Sequence, residues 1–478
     1  MTSPGRNRDD VRCFSTMQTE AQPHAGDKII RILVFTLMIT VMSATMFNIV
    51  LPQIRSDFQL TMSQVSWVTS AYLLIYAVGT VIYGKLADTC KLKNLLTFGL
   101  LLFACGSLIG FFAHDYGTVL VGRMVQAVGA AVVPATSTLI PIRYFPPEKR
   151  GRALGISMTG MAIGSALGPV ISALLVSLLD WRWLFCIPVF TLIAVPFYRK
   201  YLEEETSAPG RMDWLGGGLL AVTIALLLLA ITNQNLLLVL GFVLSFGLFL
   251  IRIRTAAEPF IRPGLFCSKR FSLGLTIAFL MTGGGYSLYF LSPQLLANVN
   301  HLAPGLIGFI MVPAAIVTAF LGRKGGSLAD KKGNSYVFYL ASALLLICFA
   351  LLSTFAGVSP LFISLFLILG NVGVSFMMIS LSNAISQTLP KEHAGVGMGL
   401  MSMLNFIAGA LAATLYSKAI DGGAKVGWNL LQHHPAAYVY SNIYSVLVIV
   451  IVSLTSLYFV LFGRVKTKKM ASEKGGYA

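Results

Sequence analysis

The sequence predicts an all-α polytopic membrane protein with fourteen transmembrane helices. Of its 478 residues, 56% are hydrophobic and only 11% charged, whereas a soluble domain carries roughly 25% charge. The apolar residues also fall into runs near the ~20 residues that cross a bilayer core. Finally, Lys and Arg alternate between the connections in a way that orients such a bundle.

The runs lie near 30–51, 63–84, 95–113, 117–141, 153–177 and 183–199. They continue near 214–232, 236–253, 271–293, 304–322, 335–355, 359–381, 396–417 and 442–463. Asn233, Gln234 and Asn235 alone separate the seventh and eighth runs, which makes a tight hairpin. An even number of spans puts both termini on one side. With the N-terminus inside, 30 of the 35 Lys and Arg residues fall on the cytoplasmic side. Arg55, Arg182, Lys418 and Lys425 fall outside, and Arg123 lies within a span. The expected location is the cytoplasmic membrane, multi-pass, with both ends cytoplasmic.

This distribution explains the net charge of +17 without nucleic acid as a partner. The expected partners are the lipid bilayer and a small-molecule substrate, with a monomer as the expected state. Residues 1–28 are polar and lack an apolar core, and read as a disordered cytoplasmic tail. The six cysteines form no C-x-x-C pair, and no Walker loop or Ser/His/Asp grouping is present. No metal, cofactor or enzymatic activity is expected.

An internal echo divides the chain. Gly84-Lys-Leu-Ala-Asp88 follows the second span and Gly326-Ser-Leu-Ala-Asp330 follows the tenth, both in cytoplasmic loops. One copy reads as a polar turn. Two copies at equivalent positions imply two homologous halves, 29–200 and 256–463, with two helices inserted over 201–255 and a basic tail at 464–478. Glycine permits close approach of helices, and an Asp at a helix end can bind backbone amides or a nearby Arg. Gly84, Asp88, Gly326 and Asp330 are therefore candidate gating residues.

Further motifs carry a resemblance. Arg123-Met-Val-Gln126-Ala-Val-Gly129 lies in the fourth span, and the fifth holds Gly155, Gly164, Gly168-Pro169 and Ser172-Ala173. Asn48-Ile-Val-Leu-Pro52, Trp67-Val-Thr-Ser-Ala-Tyr72, Asp213-Trp214-Leu-Gly and Glu258-Pro259-Phe complete the set. With the loop signature at Gly84–Lys93, these resemble the major facilitator superfamily over residues 30–465. Within it they are most similar to the fourteen-helix drug/proton antiporters, in particular the tetracycline efflux proteins. The resemblance implies a fold of two six-helix halves plus two central helices, and alternating access. It also implies outward transport, because exporters carry the fifth-helix motif, here Gly164, Gly168 and Pro169.

The chain departs from that group in its acids. Ala44 stands where the first helix would carry an acid, Ser165 where the fifth-helix motif of tetracycline exporters has a glutamate, and no acid follows Asn405-Phe406. None of the eighteen acids falls mid-span, although proton antiport ordinarily uses a desolvated carboxylate. Arg123, with Gln126 on the same helix face, is the charge buried within a span, and an intramembrane Arg is costly enough to suggest function. Asn48, Tyr72, Tyr76, Tyr286, Asn371 and Asn405 join them as candidate substrate or coupling residues. Tyr289, Phe376, Met377, Met378 and Asn383 are further cavity candidates. The leading expectation is a proton-coupled exporter of small amphipathic compounds, of drug or tetracycline type. An exporter of an anionic metabolite such as a siderophore and a lipid or glycolipid flippase are the alternatives.

Overall fold

The computed structural model describes residues 23–460, apart from 61, 203–212, 234, 258, 262, 303, 391–393 and 433. The side chains of some helical residues, Asn48 and Pro169 among them, lie outside the described part. Among the described residues all regular structure is helical. That is the expected outcome in a bilayer, where every backbone amide must find its partner within its own segment.

The first half comprises α1 (Pro23–Asp57), α2 (Met62–Thr89), α3 (Leu92–Phe111) and α4 (Tyr116–Tyr144, interrupted at Ala131), followed by α5 (Arg150–Leu178) and α6 (Trp181–Tyr201). The described part of α1 begins at Pro23, inside the stretch read as a tail. Asp115 caps α4 by accepting from the Thr118 amide at 2.9 Å. Over Trp181–Ile193 α6 is a 3-10 helix, with Pro188 inside it, and only Ala194–Tyr201 is α-helical. Hydropathy alone registers this stretch as a span without distinguishing the two coils.

The central pair is α7 (Trp214–Asn233) and α8 (Leu236–Thr255), and Asn235 caps α8 through the Leu237 amide at 2.8 Å. Asp213 caps α7 through the Gly216 amide at 3.0 Å and accepts from Arg252 Nε and Nη2 at 3.1 and 2.9 Å. Gly217 packs beside the buried Phe260 ring. Two segments far apart in sequence, at 213–217 and Phe260, thus meet at one end of the hairpin.

The second half comprises α9 (Lys269–Asn298), α10 (Pro304–Lys332), α11 (Asn334–Thr354), α12 (Pro360–Ser386), α13 (Ala394–Gly422) and α14 (Tyr438–Tyr458). Gly333, with φ of +89°, makes the one-residue corner between α10 and α11, a conformation that favours glycine. Thirteen helices among the described residues have the length and composition to cross a membrane; α5 is a further helix of 29 residues.

Each half has its own apolar core, and α4 is the most buried element of the first half and α12 of the second. The halves meet chiefly along α5 against α10 and along α2 against α13. α7 touches α2 and α13, and α8 is almost wholly exposed on the outside of the bundle.

Candidate functional site

The repeated G-x-L-A-D segments lie on helices and not in loops, at the ends of α2 and α10. On a helix, Gly and Asp four residues apart share one face. The Asp88 carboxylate accepts from the Gly395 and Val396 amides, at 2.8 and 3.0 Å, at the start of α13. Asp330 accepts from the Gly151 and Arg152 amides, both at 2.7 Å, at the start of α5. Each carboxylate therefore caps the positive end of a helix from the other half. Arg143 adds a 3.1 Å ion pair to Asp88.

The glycines make this approach possible. A Cβ on Gly84 would lie 2.6 Å from the Gly395 carbonyl, and one on Gly326 would collide with the Gly151 carbonyl. Gly155 and Gly322 are opposed in the same way. Farther along α5 the glycines face elsewhere. Gly160 and Gly164 abut Val34 and Met38 of α1, with Cβ positions 2.7 and 2.5 Å from their carbonyls, and Gly168 abuts Thr45. So α5 carries two ridges, Gly151/Gly155 towards α10 and Gly160/Gly164/Gly168 towards α1. The helix is continuous through Pro169. The helix thus lies at the interface between the halves through its α10 ridge, while Gly164 and Gly168 of the motif pack within the first half.

Arg123 is fully buried inside the first half. Its guanidinium sits 4.1 Å from the Phe47 ring and 3.9 Å from the Tyr72 ring. It donates to the Val68 carbonyl at 3.2 Å, the Ser43 carbonyl at 3.4 Å and Gln126 Oε1 at 2.8 Å. Gln126 in turn donates to Ser107 at 2.7 Å. No ion pair to Arg123 is present among the described residues, so aromatic faces and carbonyl dipoles hold the charge. Tyr76 stacks on Tyr72 and meets Phe406 of α13 edge-on at 5.1 Å, which links this cluster to the other half.

A central cavity of about 510 Å³ opens between the halves. Val41 and Thr45 of α1 line it, with Met158, Met161, Ala162 and Ser165 of α5. From the second half come Met281, Thr282, Gly285, Tyr286 and Tyr289 of α9, Thr318, Leu345, and Asn371, Val374, Ser375, Met377 and Met378 of α12. No lining residue is charged. Thr282 donates to Asn405 of α13 at 2.9 Å, so Asn405 braces the wall.

Of the candidate residues the cavity brings together Tyr286 and Asn371, with Tyr289, Met377 and Met378. Arg123, Gln126, Tyr72 and Tyr76 do not line it and lie within the first half. The Asn48 side chain is outside the described residues. Phe376 packs on Gly325, and Asn383 donates to Asn334 at 2.8 Å, so neither lines the cavity. Sequence reasoning missed Met158, Met161 and Thr318. The methionines at i and i+3 on α5 were a legible sign of a shared helical face.

The profile of the Major Facilitator Superfamily matches residues 33–413. The chain is 26% identical to the riboflavin transporter RibZ of Clostridioides difficile, over 91% of this chain and 97% of that one. It is also 26% identical to multidrug resistance protein 3 of Bacillus subtilis, covering 84% of this chain and 81% of that protein. Among solved structures, the human organic anion transporter MFSD10 superposes with a TM-score of 0.66 at 14% identity, covering 90% of this chain and 99% of that one. The proton:xylose symporter XylE gives 0.63 at 13%, covering 92% and 96%. The chain belongs to the Major Facilitator Superfamily and is a membrane transporter, not an enzyme.

Proposed function

We propose that the chain is a secondary active exporter of small, flat, amphipathic compounds that bear no net charge, working by alternating access with protons as the coupling ion. The uncharged central cavity carries this reading. Tyrosine faces and methionine thioethers offer adaptable apolar contact, while Asn371, Thr45, Ser165 and Thr318 supply hydrogen bonds that orient a heteroaromatic ring. Riboflavin, named for one relative, and tetracycline-type drugs fit that description. An anionic cargo falls behind, because Arg123 is sequestered away from the cavity.

In this reading α5 is the fourteenth crossing and both ends of the chain face the cytoplasm, in the cytoplasmic membrane. Asp88 and Asp330 close the cytoplasmic end. Protonating either removes the charge that caps α13 or α5, which loosens that closure and couples it to protons.

The test is uptake into inverted vesicles carrying an imposed pH gradient, comparing riboflavin and tetracycline with cationic ethidium and anionic fluorescein. Gradient-driven uptake of the first two, cut about tenfold by Tyr286→Ala with Asn371→Ala, is the expected outcome. A preference for either charged dye, or no gradient-driven uptake by inserted protein, sinks the proposal.

A further inference from the structure

A second cavity, about 920 Å³ in volume, lies on the opposite face of α9 from the central one, bounded by α9, α13 and α14. Its lining is mainly aliphatic and includes Gly283 and Gly284. These two glycines differ from those already described. A Cβ at Gly284 would meet only Leu447, at 3.7 Å, and one at Gly283 would lie 3.7 and 3.9 Å from Ala408 and Ala412. The neighbouring Gly285 is the reverse case, with Val374 at 2.8 Å. Glycine usually costs a helix stability, and within a bundle it is repaid by close packing against another helix. Here a Cβ would make only ordinary van der Waals contacts, so no close helix approach accounts for Gly283 and Gly284, and they face the groove instead.

One end of the groove is cationic. Lys418 and Lys425 line it and are exposed, beside the exposed Trp428. Asp421 is nearby in sequence, yet neither lysine has an ion-pair partner among the described residues. Tryptophan and lysine together mark the level of lipid headgroups in membrane proteins. The walls belong to helices of transmembrane length, so the apolar part of the groove lies at the depth of acyl chains.

We infer that this groove binds an anionic phospholipid, with one acyl chain against Gly283 and Gly284 and the phosphate between Lys418 and Lys425. The site is separate from the cargo cavity and does not depend on what the cargo is. Bound lipid fills the space behind α9 and braces the helix whose other face carries Thr282 and Tyr286. The hydrogen bond from Tyr416 to the Gly283 carbonyl, 2.9 Å, ties α13 to the same turn.

The test is native mass spectrometry of the full chain in a neutral detergent, titrated with dioleoylphosphatidylglycerol or dioleoylphosphatidylcholine. Phosphatidylglycerol is expected to be retained over phosphatidylcholine. The double substitution Lys418→Gln with Lys425→Gln weakens its retention about twenty-five-fold, since each lysine near an anionic headgroup is worth about fivefold. Gly284→Leu fills the groove there and lowers retention of both lipids, with unchanged melting in lipid-free detergent as the control for folding. Equal retention of the two lipids overturns the inference, as does phosphatidylglycerol retention that survives either variant.

Discussion

The Asp88 carboxylate and the Gly395 amide stand 307 residues apart in the chain and 2.8 Å apart in space. Asp330 and the Gly151 amide repeat the arrangement with the halves exchanged. An acid at the end of one helix satisfies the unpaired amides at the start of another, a bond that is strong when made and separable as a unit.

Substituting either acid should therefore weaken the same closure. Asp88→Ala and Asp330→Ala each leave two helix-start amides unsatisfied, at a cost of about 1–3 kcal/mol. The expected result is a lower melting temperature for each and faster labelling of a cysteine placed at Ser165. If both variants label at the wild-type rate, the caps do not hold that end shut.

Glycine variants separate packing from chemistry. Gly326→Ala and Gly155→Ala drive a methyl into an opposed carbonyl, which should cost transport at least about tenfold through overpacking. Gly247→Ala adds a methyl to open space and should leave transport unchanged. Parallel uptake assays on the three proteins decide this, and equal effects would show that the α5–α10 approach is not limiting.

Arg123→Ala removes three hydrogen bonds and two ring contacts from a buried site, and roughly 3 kcal/mol or more of stability should go with it. Arg123→Lys should not rescue it, because an ammonium cannot lie flat between Phe47 and Tyr72 while reaching Gln126. A folded, inserted Arg123→Ala protein with full transport would confine this residue to a structural role.

The hairpin clasp gives a pH dependence. Burial pushes the Asp213 carboxyl up, but the hydrogen bonds from Arg252 and Gly216 and the Arg252 charge outweigh it, and the group is held below its ordinary value of 3.8. A depressed carboxylate stabilises the folded state above the unfolded-state pKa and loses that contribution as pH falls through the lowered value. Asp213→Asn should thus lower the melting temperature near neutral pH, and the gap to wild type should close in acid below the ordinary carboxylate pKa. A gap that persists unchanged into strong acid would falsify this assignment.

Much of this architecture was legible in the sequence. Apolar runs located the helices because bilayer thickness sets their length, and the echo at Gly84 and Gly326 pointed to two halves. The partners of Asp88 and Asp330 were not legible, since they are backbone amides and any residue supplies one. The G-x-L-A-D segments read as loops because their polarity ends the apolar run, although the helices continue to Thr89 and Lys332. Arg123 stood out as a costly charge, but its rings and carbonyls come from α1 and α2, and only the fold reveals that they surround it. The central cavity was only partly foreseen, because a methionine on α5 looks the same in sequence whether it faces a core or a void.

The two glycine ridges of α5 have a mechanical consequence. Gly160, Gly164 and Gly168 leave no room for even a methyl against α1, whereas contact with α10 ends in a pair of separable hydrogen bonds. If that end parts, as the proposed alternating access requires, α1 travels with α5 as one stiff lever. From Gly151 to Pro169 the arm is about 27 Å, at 1.5 Å per residue. Tilting it by about 10° at one end carries the other by about 5 Å, so a break between two amides and one carboxylate becomes a displacement wide enough to reshape the wall that holds Met158 and Ser165.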